Sequence, residues 1–562
     1  METTVPVMSG KRAFLDLLKQ EGVEIVFGNP GTTELPLMDA FAVENDIRYV
    51  LGLQEAALMA MADGYAQASG KLTVINLHVA PGLGNAMGML YDAQKAGSPI
   101  LVTAGQQDLE YLVTEPILSA DLPTLARPFV KWAAQVDRIG DLPRLVHRAA
   151  KTALAPPTGP VFLSLPGDIL KNEADLDLMQ PTRIAPRLRG DADAIAAAAD
   201  LLAKAQRPLI IAGDAVAQSR AHAELVALAE LLGAPVYAEF VPSMASFPAS
   251  HPLFRGAMAR MAPEVRKILD QYDVLFSVGG DLFTLSLPSA TDPMPPNLPL
   301  IHLDTDPWEI GKNYPAQVGI FGDPKATLPD ITAALRERMT AAQRATARQR
   351  LHASSEAAMA ERHALVEKAR SLAGKTPVQP LALLEAIGEL LPKDAVVIEE
   401  ALSSAPGIRS LLKSDDPQSF FALRGGGIGW GLPAAIGAKL ALPDRPVVAF
   451  VGDGSSLYTV QALWTAARYR IPVIWVILNN TSYRILKQRL VAMRGLAEQA
   501  DTFVGMELTD PAVDFVGLAR SLGIEAQRAK TVAEATDLVA KGLKSGTALL
   551  IDVDMERGYK PM

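Results

Sequence analysis

The apolar run Pro446-Val447-Val448-Ala449-Phe450-Val451 ends on Gly452-Asp453-Gly454, and a second run, Ile471 to Leu478, ends on Asn479-Asn480. Each run reads as a buried parallel strand. Between them, Ser455 to Arg470 places Leu457, Val460, Leu463, Trp464 and Ala467 near one helical face. Strand, helix and strand at this spacing predict a βαβ unit with a right-handed crossover. Asp453 and Asn480 then share the carboxyl edge of a parallel sheet, where such sheets bind ligands. A carboxylate and an amide oxygen are hard donors suited to magnesium, whose shell is usually completed by phosphates. The flanking glycines let the backbone approach those phosphates closely.

The same alternation recurs upstream. Lys11 to Glu21 reads as a helix, and Ile25–Gly28, Leu72–His78, Ile100–Ala104 and Val161–Pro166 read as strands. A second segment offers Pro208–Gly213, Val274–Gly280 and Leu300–Leu303. Strands alternating with helices predict an α/β protein. The expected fold is three doubly wound parallel-sheet domains, at 1–178, 190–340 and 376–562. The stretch 176–190 reads as a linker. The Ala-, Arg- and Glu-rich stretch from Pro329 to Ala373 reads as a long helical connector, placed at 341–375, with a solvated charged face.

The net charge of −9 argues against a nucleic-acid partner, because no basic excess is available to neutralise phosphates. No stretch has the length and apolarity of a membrane span, and METTVPVMSGKR lacks a signal-peptide core. With no cysteine, disulfides and thiolate chemistry are excluded, and a cytoplasmic location is the expectation.

Near the N-terminus, Asn29-Pro30-Gly31-Thr32-Thr33-Glu34 follows a strand directly. Glu55 opens a helical run that continues through Ala68. His78 ends a strand and precedes Ala80-Pro81-Gly82-Leu83-Gly84-Asn85, which reads as a Gly-rich turn. Taken singly, Glu55 could serve only as a helix-start charge and His78 only as a core residue. Together with Gly425–Gly437 and Val451–Asn480, these stretches resemble thiamine diphosphate (ThDP)-dependent enzymes, in particular the benzoylformate decarboxylase group.

The resemblance implies a set of roles. Asp453, Asn480 and the Ser482 carbonyl would hold Mg2+. Asn29, Pro30, Gly31, Ser403, Gly426, Gly452, Gly454, Ser455 and Tyr483 would contact the cofactor. Glu55 would hydrogen-bond the aminopyrimidine and favour its imino tautomer, while Ile428 would sit between the two rings. The bound thiazolium accepts electrons as a 2-oxo acid loses carbon dioxide. Thr32, His78 and Ser286 would act on the substrate, and Ile485 and Arg489 would line its pocket. Because this family builds each site from two subunits, the implied assembly is at least a homodimer, with a tetramer expected.

Within that pattern the chain departs at the substrate. Thr32 stands at a serine position, Ser286 where a second histidine is expected, and Arg489 where an aromatic wall is expected. Serine cannot act as a general acid near neutral pH as histidine does. Arg484, Lys487 and Arg489 read equally as a solvated helix face. A decarboxylase with carboligase activity toward an aldehyde acceptor, an acetolactate synthase-like carboligase and a non-catalytic ThDP-fold protein are the readings to separate. A Rossmann dinucleotide site is disfavoured, because Gly82-Leu83-Gly84 gives only part of its glycine pattern.

Overall fold

The computed structural model describes residues 6–239, 243–285 and 287–559. Three six-stranded sheets dominate it, and every neighbouring pair within them is parallel. In chain order the first segment contributes β1 (Val7–Ser9), β2 (Ile25–Gly28), β3 (Arg48–Leu51), β4 (Thr73–Leu77), β5 (Ile100–Gln106), β6 (Ala133–Gln135), β7 (Val161–Pro166) and β8 (Glu173–Asp175). The short β1 and β8 pair antiparallel, apart from the sheet. The middle segment contributes β9 (Pro208–Ala212), β10 (Val236–Ala238), β11 (Phe254–Ala257), β12 (Val274–Val278), β13 (Leu300–Asp304) and β14 (Val318–Phe321). The third contributes β15 (Val396–Glu400), β16 (Phe420–Ala422), β17 (Val447–Gly452), β18 (Ile474–Asn479), β19 (Glu525–Ala529) and β20 (Leu549–Asp554).

The first sheet runs β3-β2-β4-β5-β7-β6 and the third β16-β15-β17-β18-β20-β19, which is one strand order used twice. The middle sheet runs β11-β10-β9-β12-β13-β14, an order that reverses between β9 and β12. The expected α/β architecture of three doubly wound parallel sheets is present.

The apolar runs become buried strands because helices cover both faces. In the first sheet Val26, Val74, Leu101 and Leu163 pack on one side with the helices Gly10–Gln20 and Leu142–Leu154. Phe27, Ile75, Val102 and Phe162 pack on the other. That second core also takes in Ile398, Ala449, Trp475 and Ile477 of the third sheet, so the first and third sheets share one apolar interior. Each Val, Leu, Ile or Phe side chain removed from water here stabilises the fold by about 1.5–3 kcal/mol. The helices Glu55–Ser69 and Gly431–Ala441 lie at the centre of this interior.

Three local expectations need correction. Residues 79–85 form the first turns of the helix Val79–Ala96, not a turn. Pro81 is tolerated there because its missing N–H belongs to the unbonded first turn. The helix expected over 455–470 is two helices, Asp453–Ser456 and Ala462–Tyr469. Between them the backbone uses i→i+3 bonds, and the Thr459 hydroxyl donates to the buried Gly429 carbonyl at 2.6 Å. The start of the Ala-rich stretch lies in the helix Pro324–Arg338, whose Leu328, Ile331 and Leu335 belong to the middle core. The helix Ala341–Ser371 follows and is mostly solvated. Among the described residues no helix is long and apolar enough to cross a membrane.

Candidate active site

Two polar clusters form, one at the carboxyl edge of the first sheet and one at that of the third. In the first, Asn29, Pro30 and Gly31 follow β2 and lead into the 3-10 turn Thr32–Glu34. His78 directly follows β4 and is the N-cap residue of the helix Val79–Ala96. Its Nδ1 lies 2.8 Å from Glu34 Oε2. Glu34 is fully buried and accepts three further bonds, from Gly31 N–H (2.9 Å), Gly105 N–H (2.9 Å) and the Thr33 hydroxyl (2.7 Å). With three donors already directed at this carboxyl, it serves as an acceptor, and the His78 tautomer that suits it carries its proton on Nδ1 and donates. Nε2 is then the nitrogen free to act on a ligand. Gly31 has to be glycine: a Cβ there would stand 2.1 Å from the His78 ring.

Glu55 is the first residue of its helix, which Gln54 caps by accepting from Ala57 N–H at 3.0 Å. Asn85 donates to Glu55 Oε2 at 3.1 Å. Gly82 separates Glu55 from His78: a Cβ on it would lie 3.5 Å from Glu55 Oε1 and 3.5 Å from His78 Cβ. Thr32 is exposed on the rim of a cleft shared with Thr33, Gln107, Tyr111 and Lys171.

In the second cluster Asp453 follows β17 and is 3% exposed. Burial pushes its carboxyl up to about 6, partly offset by backbone N–H groups including those of Gly454 and Thr481. Its Oδ2 is buried without a hydrogen-bond partner. Asn480 Oδ1 accepts from Ser482 N–H (3.2 Å) and hydroxyl (3.0 Å), and its Nδ2 donates to the Ser404 hydroxyl at 3.3 Å. Tyr483 packs over Gly454, where a Cβ would come within 2.5 Å of its ring. Ser455 and Ser403 are nearly buried beside these groups. Gly426 and Gly429, at φ of 91° and 105°, bracket the half-buried Ile428.

An orphaned, buried carboxylate oxygen beside an amide oxygen fits a cation. Among the described residues no three His, Cys, Asp or Glu side chains converge as a self-sufficient metal site. A cation at Asp453 therefore needs main-chain and phosphate oxygens to complete its shell.

Among the described residues just two β-branched side chains have φ in the left-handed region, Val79 (42°) and Thr481 (57°). Each directly follows a residue of these clusters, His78 or Asn480. Such backbone costs about 1–3 kcal/mol per residue and persists where the surroundings force it.

Several functional candidates are not visible in the sequence pattern. Glu34 is one. Glu400, ending β15, is another: it is 1% exposed and accepts from Gly429 N–H at 2.6 Å. Burial raises its carboxyl to about 7. Arg484 and Lys487 do not line a solvated face; they are 4% and 5% exposed. Arg484 donates to the Ser403 carbonyl and to the Glu556 carbonyl, the latter at 2.9 Å, and Lys487 pairs with Glu507. Arg489 is exposed and Ile485 half-buried on the same helix, Arg484–Met493. Ser286 lies outside the described residues.

Within one chain the two clusters do not meet. Leu51, at the carboxyl end of β3, bonds Tyr469 and Thr465 of the helix that returns to the amino edge of the third sheet. Gly427, next to Ile428, bonds Asp92 Oδ1. Asp92 lies about 20 Å along its helix from the His78 end. Each carboxyl edge thus faces the back of the other sheet. Among the described residues no hydrogen bond joins Glu55 or His78 to the Asp453 cluster.

Comparison with known proteins follows the same division. Residues 8–121 match the thiamine pyrophosphate enzyme N-terminal TPP binding domain, 195–331 the central domain and 406–553 the C-terminal TPP binding domain. A benzoylformate decarboxylase of Pseudomonas aeruginosa is 33% identical over 544 residues, 96% of this chain and 98% of that one. A probable acetolactate synthase large subunit of Methanocaldococcus jannaschii is 30% identical over 97% of this chain and 92% of its own. Among solved structures, a thiamine diphosphate-dependent 4-hydroxybenzoylformate decarboxylase of Rhodococcus jostii RHA1 has a TM-score of 0.85 at 31% identity, covering 98% of this chain and 100% of that one. The benzoylformate decarboxylase of Polynucleobacter necessarius has a TM-score of 0.86 at 30% identity, covering 99% and 100%.

Proposed function

The chain belongs to the thiamine pyrophosphate (thiamine diphosphate) enzymes, and from that membership we propose that it is a ThDP- and Mg2+-dependent, non-oxidative decarboxylase of a 2-oxo acid with carboligase activity. The observation that carries this reading is the pair of incomplete clusters. A proton-handling group, His78 on Glu34 with Glu55 beside it, stands at one carboxyl edge. An orphaned Asp453 oxygen stands at the other.

In this reading the working units are the pyrimidine-binding segment 1–178, the middle domain 190–340, the connector 341–375 and the diphosphate-binding segment 376–562. Asp453, Asn480 and the Ser482 carbonyl hold Mg2+. Ser403, Gly452, Gly454, Ser455 and Tyr483 form the diphosphate cradle, and Asn29, Pro30, Gly31 and Gly426 complete the cofactor contacts. Ile428 would offer the cofactor an apolar contact from a glycine loop. When bound, the cofactor supplies the electron sink for loss of carbon dioxide. Glu55 holds the pyrimidine side through its carboxyl, and His78 delivers or accepts a proton at Nε2. Thr32 offers a hydroxyl at the rim. Arg489, with Ile485, would give the pocket a more polar wall than an aromatic acid needs; Ser286, which the resemblance assigns to the same pocket, lies outside the described residues. With His78 as the one histidine offered where the resemblance expects two, proton delivery to the product would be slower, which would favour carbon–carbon bond formation with an aldehyde acceptor. Because the clusters are apart within one chain, a second copy completes each site, and the assembly is a homodimer or a tetramer of such dimers.

An acetolactate synthase-like carboligase is the second reading, favoured by the 30% identity over 97% of the chain. Product analysis by NMR with a panel of 2-oxo acids, with and without an aldehyde, separates the readings. We expect small or anionic 2-oxo acids to be turned over in preference to benzoylformate, with ligation products when an aldehyde is present. Exclusive benzaldehyde formation from benzoylformate would overturn the specificity reading. No ThDP-dependent turnover of any 2-oxo acid would overturn the enzymatic one.

A further inference from the structure

We propose that Arg424 is a positioning residue that fastens the Gly425–Gly429 loop, and Ile428 within it, to the middle domain. The starting point is the middle sheet. Its order reverses between β9 and β12, and sheets of this kind take ligands in the crevice outside the carboxyl ends at that point. Here the crevice is narrow: a Cβ on Gly213 would stand 2.2 Å from the Gly279 carbonyl oxygen. The group that reaches this edge comes from the third domain. Arg424, two residues beyond β16, donates from Nη2 to Asp281 Oδ1 at 2.6 Å, and its Nε lies 3.5 Å from Asp214 Oδ2. Its side chain is 12% exposed. Charge-assisted pairs of this geometry are stronger than neutral hydrogen bonds and more directional.

The acceptors are themselves fixed. Asp214 accepts from Ser243 N–H (3.0 Å), the Ser243 hydroxyl (2.6 Å) and Met244 N–H (3.1 Å). Ser243 and Met244 in turn pair with the edge strand β16: Ala422 N–H donates to the Ser243 carbonyl at 2.9 Å, and Met244 bridges Phe421. The entrance of the loop is therefore gripped through both backbone and side chain.

Past Arg424 the loop has only one side chain beyond glycine, that of Ile428. Gly426 and Gly429 adopt backbone angles that glycine tolerates and that allow many alternatives. Two more bonds define its course, Gly427 N–H to Asp92 Oδ1 (3.0 Å) and Gly429 N–H to Glu400 Oε1 (2.6 Å). Asp92 belongs to the first domain, Glu400 to the third and Asp281 to the middle. Carboxylates from all three domains thus set the loop, and Arg424 carries the middle domain's share through Asp281 and Asp214. The importance of Ile428 rests on the proposed cofactor reading; the three-point attachment does not.

The test uses the full-length protein loaded with ThDP and Mg2+, comparing Arg424→Ala, Arg424→Lys and Asp281→Asn by hydrogen exchange and kinetics. In Arg424→Ala, amides of 425–429 should exchange about tenfold faster or more, while β9 and β12 keep their protection. Turnover should fall about tenfold or more with KM within about twofold, because a misplaced loop costs orientation more than binding. Arg424→Lys keeps a charge and should recover part of both losses. Should Arg424→Ala fail to fold, Asp281→Asn leaves the Asp214 contact and should show the same loop-confined exchange at smaller amplitude. Unchanged loop exchange in a folded variant, or acceleration spread evenly over the middle sheet, would overturn the proposal. Loop loosening in a protein without ThDP-dependent turnover would uphold the attachment and overturn the catalytic reading.

Discussion

Glu34 and His78, far apart in sequence, are joined at 2.8 Å by a carboxylate that is itself fully buried. That bond fixes the imidazole tautomer and leaves Nε2 as the nitrogen not engaged by Glu34. Glu34→Gln would place an amide N–H against one of four donors and release the ring. We expect kcat/KM to fall between roughly ten- and a hundredfold with ThDP affinity unchanged. Calorimetry beside steady-state kinetics decides the matter. Equal loss of cofactor binding would show that Glu34 supports the fold and not the imidazole.

Co-expression of Glu55→Gln with Asp453→Ala tests whether sites are shared. If each site takes Glu55 from one chain and Asp453 from another, random pairing leaves about a quarter of the sites intact. Each variant alone should be nearly inactive. Activity of the mixture no higher than that of the better single variant would place both residues in one chain's site.

Asp453→Ala removes the one charged donor of the proposed cation site. ThDP should no longer bind at micromolar concentration with Mg2+ present, and chelation of the parent should reproduce this loss. Unaltered calorimetric binding in the variant would move the metal elsewhere.

Asp92 gives a stability prediction with a sign. Burial pushes its carboxyl up to about 8, with the Asp63 and Glu400 carboxyls adding to the effect and the Gly427 N–H opposing it. Above its unfolded value near 3.8 the unfolded chain has released a proton that the folded protein still holds. Stability from this group therefore declines as pH rises toward about 8 and levels off beyond it. Asp92→Asn keeps the acceptor for Gly427 and abolishes that decline. Its melting temperature relative to the parent should rise by about 2 °C or more between mildly acidic and mildly alkaline pH. A pH-independent difference would contradict the assignment.

The strands were legible because apolar runs flanked by glycine report burial directly. Ile25–Gly28 and Val161–Pro166 have the expected bounds. The Asp453 and Asn480 edge was legible for the same reason, since each residue directly follows such a run. Glu34 was not, because an acid in a first turn looks like helix capping and its partner is distant in the chain. Arg484 and Lys487 read as solvated because charge usually signals exposure; their burial depends on Ser403, Glu556 and Glu507, which sequence spacing does not connect. The glycines of 82–84 read as a turn, yet Leu83, Ala86 and Leu90 share a buried helical face that overrides them.

The two strained residues, Val79 and Thr481, bear on how such a protein could be made hardier. A designer seeking heat resistance would first replace β-branched residues at positive φ with glycine, a substitution that normally relieves strain. Here each target adjoins a group proposed to act in the chemistry, so relief would come with a looser His78 or a looser Asn480. Robustness and turnover would then trade against each other at the same two positions. Improvement is better sought where the backbone is relaxed, on the exposed face of the helix Ala341–Ser371.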